Sequence, residues 1–329
     1  MLPVAVDAMG GDRAPGEIVA GARQAAEELG VPVVLVGPPE VADLAPGLEL
    51  IPASEVVAMD EDPAQGVRRK KDSSLVRAAE AVRDGRASAM VSAGNTGATM
   101  ASALLRMGRI KGVNRPAIAT PIPVPGSTPT VLLDAGANAE CTAPMLVQFA
   151  QMGATFASER YGLAEPRVGL LSIGEEATKG TPLVKQTHAL LEAGAGVRFI
   201  GNVEGRDIVS DRVDVVVTDG FTGNVVLKTL EGGVRAVVDA VLLALTSTEE
   251  AKEASKGLLP NLAPLASQLD PDTTGGAMLL GVDGVCIISH GSSSARAIVN
   301  AVAVARDMVG ADVVGRMRSA VSAESARHA

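Results

Sequence analysis

An apolar, β-rich run that ends in a short segment of Gly, Asp, Asn, Ser or Thr occurs seven times along this chain of 329 residues. The seven polar segments are 7–12, 92–97, 134–138, 174–180, 201–205, 218–224 and 290–294. Between most of them strand and helix patterns alternate, which is typical of βαβ units in an α/β sheet. Loops that leave the carboxyl ends of neighbouring strands in such a sheet converge on one rim, where ligands bind. The pattern therefore predicts one large polar site.

The same segments are suited to an anionic ligand. Glycine lets the backbone approach a ligand and adopt positive φ, and the amide N–H groups of loops and helix N-termini attract negative charge. Gly, Asp and Asn are also the usual residues of tight turns between strands and helices, so one such segment alone is ambiguous. Their repetition favours a binding role.

Composition limits the class of protein. With 47% hydrophobic and 20% charged residues, the chain can form one large α/β domain over residues 1–329, or two closely joined lobes. A net charge of −9, no Trp, one Tyr and four Phe argue against binding to nucleic acid. Cys141 and Cys286 are the only cysteines, and no Cys/His cluster has metal-ligand spacing, so we expect a reducing compartment and no metal site.

The sequence also predicts where the protein is found. The first residues lack a basic region and a cleavage site, so we expect a cytoplasmic protein. No uncharged apolar run approaches the roughly 20 residues of a membrane-spanning helix, which leaves surface attachment open.

A helical excursion interrupts the alternation at residues 225–270, where two helical stretches are predicted with no strand between them. The first, residues 225–245, has an apolar face. The second has four leucines around two prolines: Leu258, Leu259, Leu262 and Leu265. Such apolar faces need a partner, and the sequence leaves two partners open. One is a second copy of the chain in a dimer interface, and the other is a bilayer in contact with these four leucines, which we call the leucine tip.

Several familiar chemistries are absent from the motifs. The loop after the first strand has no G-x-G-x-x-G pattern, and neither a Walker lysine loop nor a G-x-S-x-G elbow occurs, so no nucleotide cofactor is expected. Of the three histidines, His188 falls within a predicted helix, where we expect it to face solvent. His290 is at a strand end, as either a residue that fixes its loop or an acid–base group.

What remains is an anion cradle of amides, carboxylates and a few cations. It suits a reaction that positioning and charge stabilisation can carry. Attack of phosphate on an activated acyl group is such a reaction. Phosphate is already nucleophilic, a thiolate with a pKa of about 8.5 leaves easily, and the main demand is for donors to the tetrahedral oxyanion.

Six segments together resemble the bacterial phosphate acyltransferase family of the PlsX type: 7–12, 68–74, 92–98, 201–204, 218–228 and 290–293. The likeness runs in order from residue 4 to about residue 305. It implies transfer of a long-chain fatty acyl group from acyl carrier protein to orthophosphate without a cofactor, giving acyl phosphate for phospholipid synthesis. It also implies a three-layer α/β/α fold with a large, mostly parallel or mixed sheet, similar to isocitrate and isopropylmalate dehydrogenases and to phosphotransacetylases.

The family further implies a homodimer that is cytoplasmic and associates with the membrane surface, where a glycerol-3-phosphate acyltransferase uses the product. This makes the leucine tip a candidate membrane contact. Glu249, Glu250 and Glu253 make the approach to the tip less basic than anionic lipid would prefer.

With these implications the strand-end residues receive hypothetical roles. Lys179 would bind phosphate, Asn95 and Thr96 would donate to the oxyanion, and Glu204 or Asp219 would accept the phosphate proton. The other residues expected around phosphate and substrate are Asp7, Gly10, Gly11, Asp12, Ser92, Gly94, Asp134, Asn138, Asn202, Asn224 and His290, with Asp134 and Asn138 ordering their loops. The basic run Arg68, Arg69, Lys70 and Lys71 would dock the acidic carrier protein, or is simply a solvated face.

Three alternatives stay open on the sequence. A phosphotransacetylase would use short acyl-CoA, and a β-decarboxylating dehydrogenase would need a helix-borne set of Asp residues for a divalent metal, which 218–224 does not match. A non-catalytic scaffold for lipid enzymes at the membrane would show no turnover.

Overall fold

One sheet of eleven strands runs through residues 1–269 and 271–325, the part of the chain that the computed structural model describes. The strands are β1 (Val4–Asp7), β2 (Val33–Gly37), β3 (Glu49–Pro52), β4 (Ala89–Ser92), β5 (Ala117–Ile122), β6 (Thr130–Leu133), β7 (Arg167–Leu171), β8 (Arg198–Val203), β9 (Val215–Val217), β10 (Ala277–Leu280) and β11 (Val285–Ile288). Their order across the sheet is β3-β2-β1-β4-β11-β10-β5-β6-β9-β7-β8.

Helices cover the sheet and extend beyond it. They are α1 (Gly16–Leu29), α2 (Pro63–Arg69), α3 (Ser74–Arg83), α4 (Thr96–Arg106), α5 (Ala143–Tyr161), α6 (Pro182–Glu192), α7 (Gly220–Thr246), α8 (Glu249–Ser255), α9 (Leu259–Leu269), α10 (Ala295–Gly310) and α11 (Val313–Ser325). Short 3-10 turns occur at Pro39–Leu44, Gly205–Val209 and Pro271–Thr273.

Two apolar layers, one on each face of the sheet, form the core. Alternation along β1 sends Val4 and Val6 into one layer and Ala5 into the other, and all three are fully buried. Helices α1, α5 and α10 pack on the first layer, whereas α3 and α4 pack on the second. The predicted three-layer α/β/α fold with a large mixed sheet is confirmed.

The central pair of strands divides the sheet into two halves that run in opposite directions. β10 and β5 pair antiparallel, β10 is also antiparallel to β11, and β5 is antiparallel to β6. Beyond this pair every pairing is parallel, through β11, β4, β1, β2 and β3 on one side and through β6, β9, β7 and β8 on the other. Strand direction reverses three times between β11 and β6, so the two groups of parallel strands point to opposite ends of the sheet.

This topology corrects the expectation of a single polar rim. The carboxyl ends of β1, β4 and β11 form what we call the first rim, and those of β6, β7, β8 and β9 form the second rim, at the opposite end of the sheet. The seven predicted polar segments do lie at strand ends, those of β1, β4, β6, β7, β8, β9 and β11. The relative direction of the halves was missed, because strand patterns carry no direction.

The helical excursion contains three helices, α7, α8 and α9, rather than the two expected. α7 has 27 residues, so it is about 40 Å long. Its buried residues are Gly220 and Gly223 at its start, whereas Phe221, Val237 and Leu243 are about two-thirds exposed or more. Within the described residues no helix is both long and apolar enough to cross a bilayer.

Candidate functional site

A buried carboxylate organises the first rim. Asp7, at the end of β1, is 2% exposed, and its Oδ2 accepts a hydrogen bond from Ser92 Oγ at 2.7 Å. Its Oδ1 accepts from the Met9 amide at 3.2 Å, and Ser92 Oγ in turn accepts from the Gly94 amide at 3.0 Å. Burial raises the pKa of Asp7, while hydrogen bonds from Ser74 and Ser92 oppose that rise. The ends of β1 and β4 are thereby tied together.

Glycine is required where these loops touch. A Cβ on Gly10 would lie 2.6 Å from Asp7 Oδ2 and 2.7 Å from the Gly94 amide nitrogen, so a side chain there would displace the rim. Gly11 has a φ of +114°, which other residues rarely adopt. The Asp12 amide donates to Gly291 O at 2.8 Å, which joins this loop to the one after β11.

The N-terminus of α4 supplies a second group of amides to the first rim. Asn95 caps the helix: its Oδ1 accepts from the Ala98 amide at 3.0 Å, and its Nδ2 donates to Met59 O and Glu61 O. Its side-chain amide is therefore fully engaged and is not placed as an oxyanion donor. Thr96, the first helical residue, is exposed.

His290 makes local contacts. Its Nδ1 lies 2.8 Å from Ser292 Oγ and accepts from the Ser292 amide at 3.2 Å. Ser293 Oγ donates to the His290 carbonyl oxygen at 2.6 Å. The geometry matches the loop-fixing role of the two that the sequence left open.

Sequence reasoning missed two contributors to the first rim. The segment 56–61 lies over it, held by Asn95 and by Lys70 Nζ, which donates to Val56 O at 2.8 Å and to Glu61 Oε2 at 2.6 Å. Ser74, at the start of α3, is buried and lowers the pKa of Asp7. The motif at 68–74 contains both Lys70 and Ser74, whereas the sequence analysis predicts a role only for its basic residues.

A second buried carboxylate organises the second rim. Asp134 follows β6 and is fully buried. It accepts five hydrogen bonds, from the amides of Ile118, Gly136, Ala137 and Asn138 and from Asn138 Nδ2, at 2.8 to 3.2 Å. Burial raises the pKa of Asp134, and these donors oppose the rise. Asn138 Nδ2 also donates to Pro116 O. Asp134 and Asn138 together therefore form the frame that fixes the backbone of this loop.

The start of α7 packs directly on this frame. A Cβ on Gly223 would lie 1.9 Å from Asp134 O, and one on Gly220 would lie 2.6 Å from Asn138 O, so both positions need glycine. Asp219 caps α7 by accepting from the amide and the hydroxyl of Thr222, both at 2.8 Å. Asn224 is exposed beside Gly136. Burial raises the pKa of the nearby Cys141 thiol to about 11, which disfavours a thiolate nucleophile.

Lys179 and Glu204 differ in exposure and in ion pairing. Lys179 is exposed in the loop after β7. Glu204 begins a capping box with Asp207, and its Oε2 lies 3.0 Å from Arg206 Nη2, so its carboxylate already has partners. Asn202 is buried and bonds to Glu176 O and to His188. His188 is 8% exposed, so the expectation that it faces solvent is wrong.

Among the residues that the structure describes, the two rims lie apart and are not joined in one pocket. Four steps of about 4.8 Å separate β4 from β6 across the sheet, and their loops leave at opposite ends. Asp7, Ser92, Thr96 and His290 therefore belong to one cluster and Asp134, Lys179, Asn202 and Asp219 to another. A cavity of about 600 Å³ between α5 and α11 is lined by none of these residues.

The surface candidates are placed as follows. Arg68, Arg69 and Lys71 are exposed, whereas Lys70 is engaged by Glu61. In the tip, Leu258, Leu259 and Leu265 are 42% to 55% exposed and Leu262 is half-buried. Among the described residues, no three His, Cys, Asp or Glu side chains are grouped so as to hold a metal ion.

Known proteins resemble this chain along nearly its whole length. A family model described as a fatty acid synthesis protein matches residues 2–316. A phosphate acyltransferase from Nostoc punctiforme is 45% identical over 324 residues, covering 96% of this chain and 95% of the relative. One from Heliobacterium modesticaldum is 50% identical over 318 residues, covering 94% of each.

Solved structures share the fold at low identity. A phosphotransacetylase from Streptococcus pyogenes aligns with a TM-score of 0.64 and 16% identity, over 95% of this chain and 94% of that one. A 4-hydroxythreonine-4-phosphate dehydrogenase from Klebsiella pneumoniae aligns with a TM-score of 0.55 and 14% identity, over 94% and 100%. At such identities the likeness concerns the fold alone.

The buried carboxyl of Asp7 generates a prediction about pH. Its pKa is raised above 3.8 in the folded protein, so between pH 3.8 and the raised value the folded state binds more protons than the unfolded state. The free energy of unfolding therefore falls as the pH rises through this window. Asp7→Asn removes the titration, so we expect the stability of the variant relative to wild type to increase with pH, measured by urea denaturation. Parallel pH curves would contradict this.

Proposed function

The chain belongs to the fatty acid synthesis protein family together with the phosphate acyltransferases, and we infer that it is itself a phosphate acyltransferase that moves a fatty acyl group to orthophosphate for phospholipid synthesis. The observation that carries this inference is 45% to 50% identity over 94% to 96% of the chain. Acyl carrier protein is the proposed acyl donor and a long-chain acyl group the proposed cargo.

The reaction needs few groups from the protein. A phosphate oxygen attacks the thioester carbonyl carbon, the tetrahedral oxyanion collapses, and the thiolate of the carrier protein leaves and takes up a proton. The first rim offers amides for the negative charges at the start of α4, where the first N–H groups have no partner within the helix, whereas the Gly10 and Gly94 amides already donate to Asp7 O and Ser92 Oγ. Thr96 is the proposed oxyanion donor and Lys179 the proposed cation for phosphate. Asp219 is the remaining candidate for accepting the phosphate proton, although it also caps α7.

The rival functions have less support. The phosphotransacetylases and dehydrogenases share the fold at only 14% to 16% identity, against 45% to 50% for the phosphate acyltransferases. Short acyl-CoA as substrate and a non-catalytic scaffold are outcomes that the first assay separates.

Turnover is the first test. Purified protein with palmitoyl-[acyl carrier protein] should release thiol only when orthophosphate is present, and hydroxylamine should trap the acyl phosphate as its hydroxamate. Lys179→Met should lower kcat/KM for phosphate about a hundredfold, because one preorganised charge is lost. The matched control is Lys111→Met, at an exposed lysine between α4 and β5, which should leave the rate unchanged. Thiol release without phosphate would indicate a thioesterase, and activity only on acetyl-CoA would indicate a phosphotransacetylase.

The basic run is the proposed docking surface for the acidic carrier protein. Arg68, Arg69 and Lys71 carry it, because Lys70 is already bonded within the chain. Arg68→Glu with Arg69→Glu should raise KM for acyl carrier protein about tenfold, less so at high salt, while KM for an acyl-pantetheine thioester stays constant. Lys111→Glu is the control for charge reversal elsewhere. Equal loss on both thioesters would exclude docking at this surface.

A homodimer is the proposed assembly, for two reasons. α7 leaves Val225, Val237, Val241 and Leu242 at least 45% exposed in a single chain, and a second copy would bury them. A dimer also offers a way to place the second rim of one copy against the first rim of the other, which supplies Lys179 to the Asp7 cluster.

Complementation tests that arrangement. Asp7→Asn and Lys179→Met chains should each be impaired alone, but their co-expressed heterodimers contain one intact composite site. Random pairing of closed two-fold dimers should then restore about a quarter of the wild-type activity. No restoration, in a preparation shown to contain heterodimers, would place both rims of each site in the same chain or separate Lys179 from the site.

The leucine tip is the proposed contact with the membrane of an otherwise cytoplasmic protein, near a membrane glycerol-3-phosphate acyltransferase that takes the acyl phosphate. Leu258→Asp with Leu265→Asp should weaken binding to phosphatidylglycerol vesicles at least tenfold, because each buried leucine contributes roughly 1.5–3 kcal/mol. The control is Leu105→Asp, an equally exposed leucine on α4. Unchanged vesicle binding by the tip variant would exclude a direct contact through the leucines.

A further inference from the structure

Two donors meet on one carbonyl oxygen in the loop that carries Lys179. The Lys179 amide and the side-chain Nδ2 of Asn202 both donate to Glu176 O at 2.9 Å. The turn closed by that oxygen sets the direction in which the exposed Lys179 side chain leaves the loop. Asn202 therefore holds the loop from the neighbouring strand.

A bulge in β8 gives Asn202 this position. Val168 of β7 pairs with Phe199, but Leu170 pairs with Asn202, so β8 contains one extra residue between the two pairs. Gly201, with a φ of +95°, accommodates it. Residues 199 and 202 would face opposite sides of a regular strand, whereas the bulge lets both contact the same neighbour. That neighbour is His188.

His188 continues the chain of contacts from α6. Its Nδ1 lies 3.0 Å from Asn202 Oδ1, and its ring meets the Phe199 ring edge-on, with centroids 5.1 Å apart. Because Asn202 Nδ2 donates to a carbonyl, Asn202 Oδ1 must accept, so His188 Nδ1 carries the proton. His188 Nε2 lies 3.8 Å from Glu192 Oε2 at the exposed end of the same helix.

We propose that His188 is a positioning residue for the acyltransferase reaction: it fixes Asn202, which fixes the loop that presents Lys179 to phosphate. The proposal rests on the proposed function, since it acts through the phosphate-binding role of Lys179. α6 begins at Pro182, directly after this loop, so the strand and the helix that hold the loop are joined by one buried hydrogen bond.

Substitutions at His188 test the role of its Nδ1–H donor separately from that of the bulk of its ring. His188→Leu removes the donor and should lower kcat/KM for phosphate about tenfold, at constant KM for the carrier protein, as is usual for partners that orient a binding group. His188→Asn keeps an N–H donor near the position of Nδ1 and should recover most of the loss. Asn202→Asp, which cannot donate to Glu176 O, should match His188→Leu and serves if that variant does not fold. Gln186→Leu, exposed on the same helix, is the control.

The decisive measurement is a double-mutant cycle with Lys179→Met. If His188 acts through Lys179, His188→Leu adds no further loss in the Lys179→Met background. Independent losses that multiply would overturn the proposal while leaving the proposed function intact, as would a His188 ring without a proton on Nδ1 in ¹⁵N NMR spectra of the folded protein. A wild-type protein without phosphate-dependent thiol release would instead overturn the proposed function. A fully active Lys179→Met variant would overturn the role of Lys179 and, with it, this proposal.

Discussion

The antiparallel pairing of β10 with β5 decides the layout of the whole molecule. Leu279 lies opposite Ile118 in this pair, and both are buried between the helical layers. Each strand of the pair is also antiparallel to its outer neighbour, so the two parallel groups of the sheet run in opposite directions. This pairing therefore decides on which of the two rims each polar loop lies. Thr96 and Lys179, the residues proposed for the oxyanion and for phosphate, therefore lie on different rims of a single chain.

Each rim is built around a buried carboxylate. Asp7 ties β1 to β4 through Ser92, and Asp134 gathers four backbone amides and the Asn138 side chain. Such groups are costly to bury unless they are hydrogen-bonded, so they fix the surrounding backbone firmly. Asn95 and Glu204, which the sequence suggested as catalytic, already bond to other groups of the chain. Thr96 and Lys179 remain exposed.

Surface residues likewise divide into those that bond within the chain and those that face solvent. Lys70 is bonded to Glu61, while Arg68, Arg69 and Lys71 around it face solvent. α7 packs on the Asp134 loop at its start and on the second core layer through Val226, Leu227 and Leu230, while most of its later residues are exposed. The apolar residues of that helix and of the leucine tip therefore need partners outside the chain, which is the physical basis of the proposed dimer and membrane contacts.

The sequence by itself determined the elements and the local chemistry. Apolar runs that end in polar segments predicted the strands of an α/β sheet and the loops that follow them, and the ordered motifs indicated the family. These signals are local, because side-chain periodicity, capping and turn preferences act within a few residues. Only the tertiary structure decided which strand ends share a rim, that Lys70 and Asn95 are occupied, and that His188 is buried against Asn202. Strand direction, a bulge at Gly201 and contacts between distant elements depend on how the chain closes on itself, and no short segment encodes them.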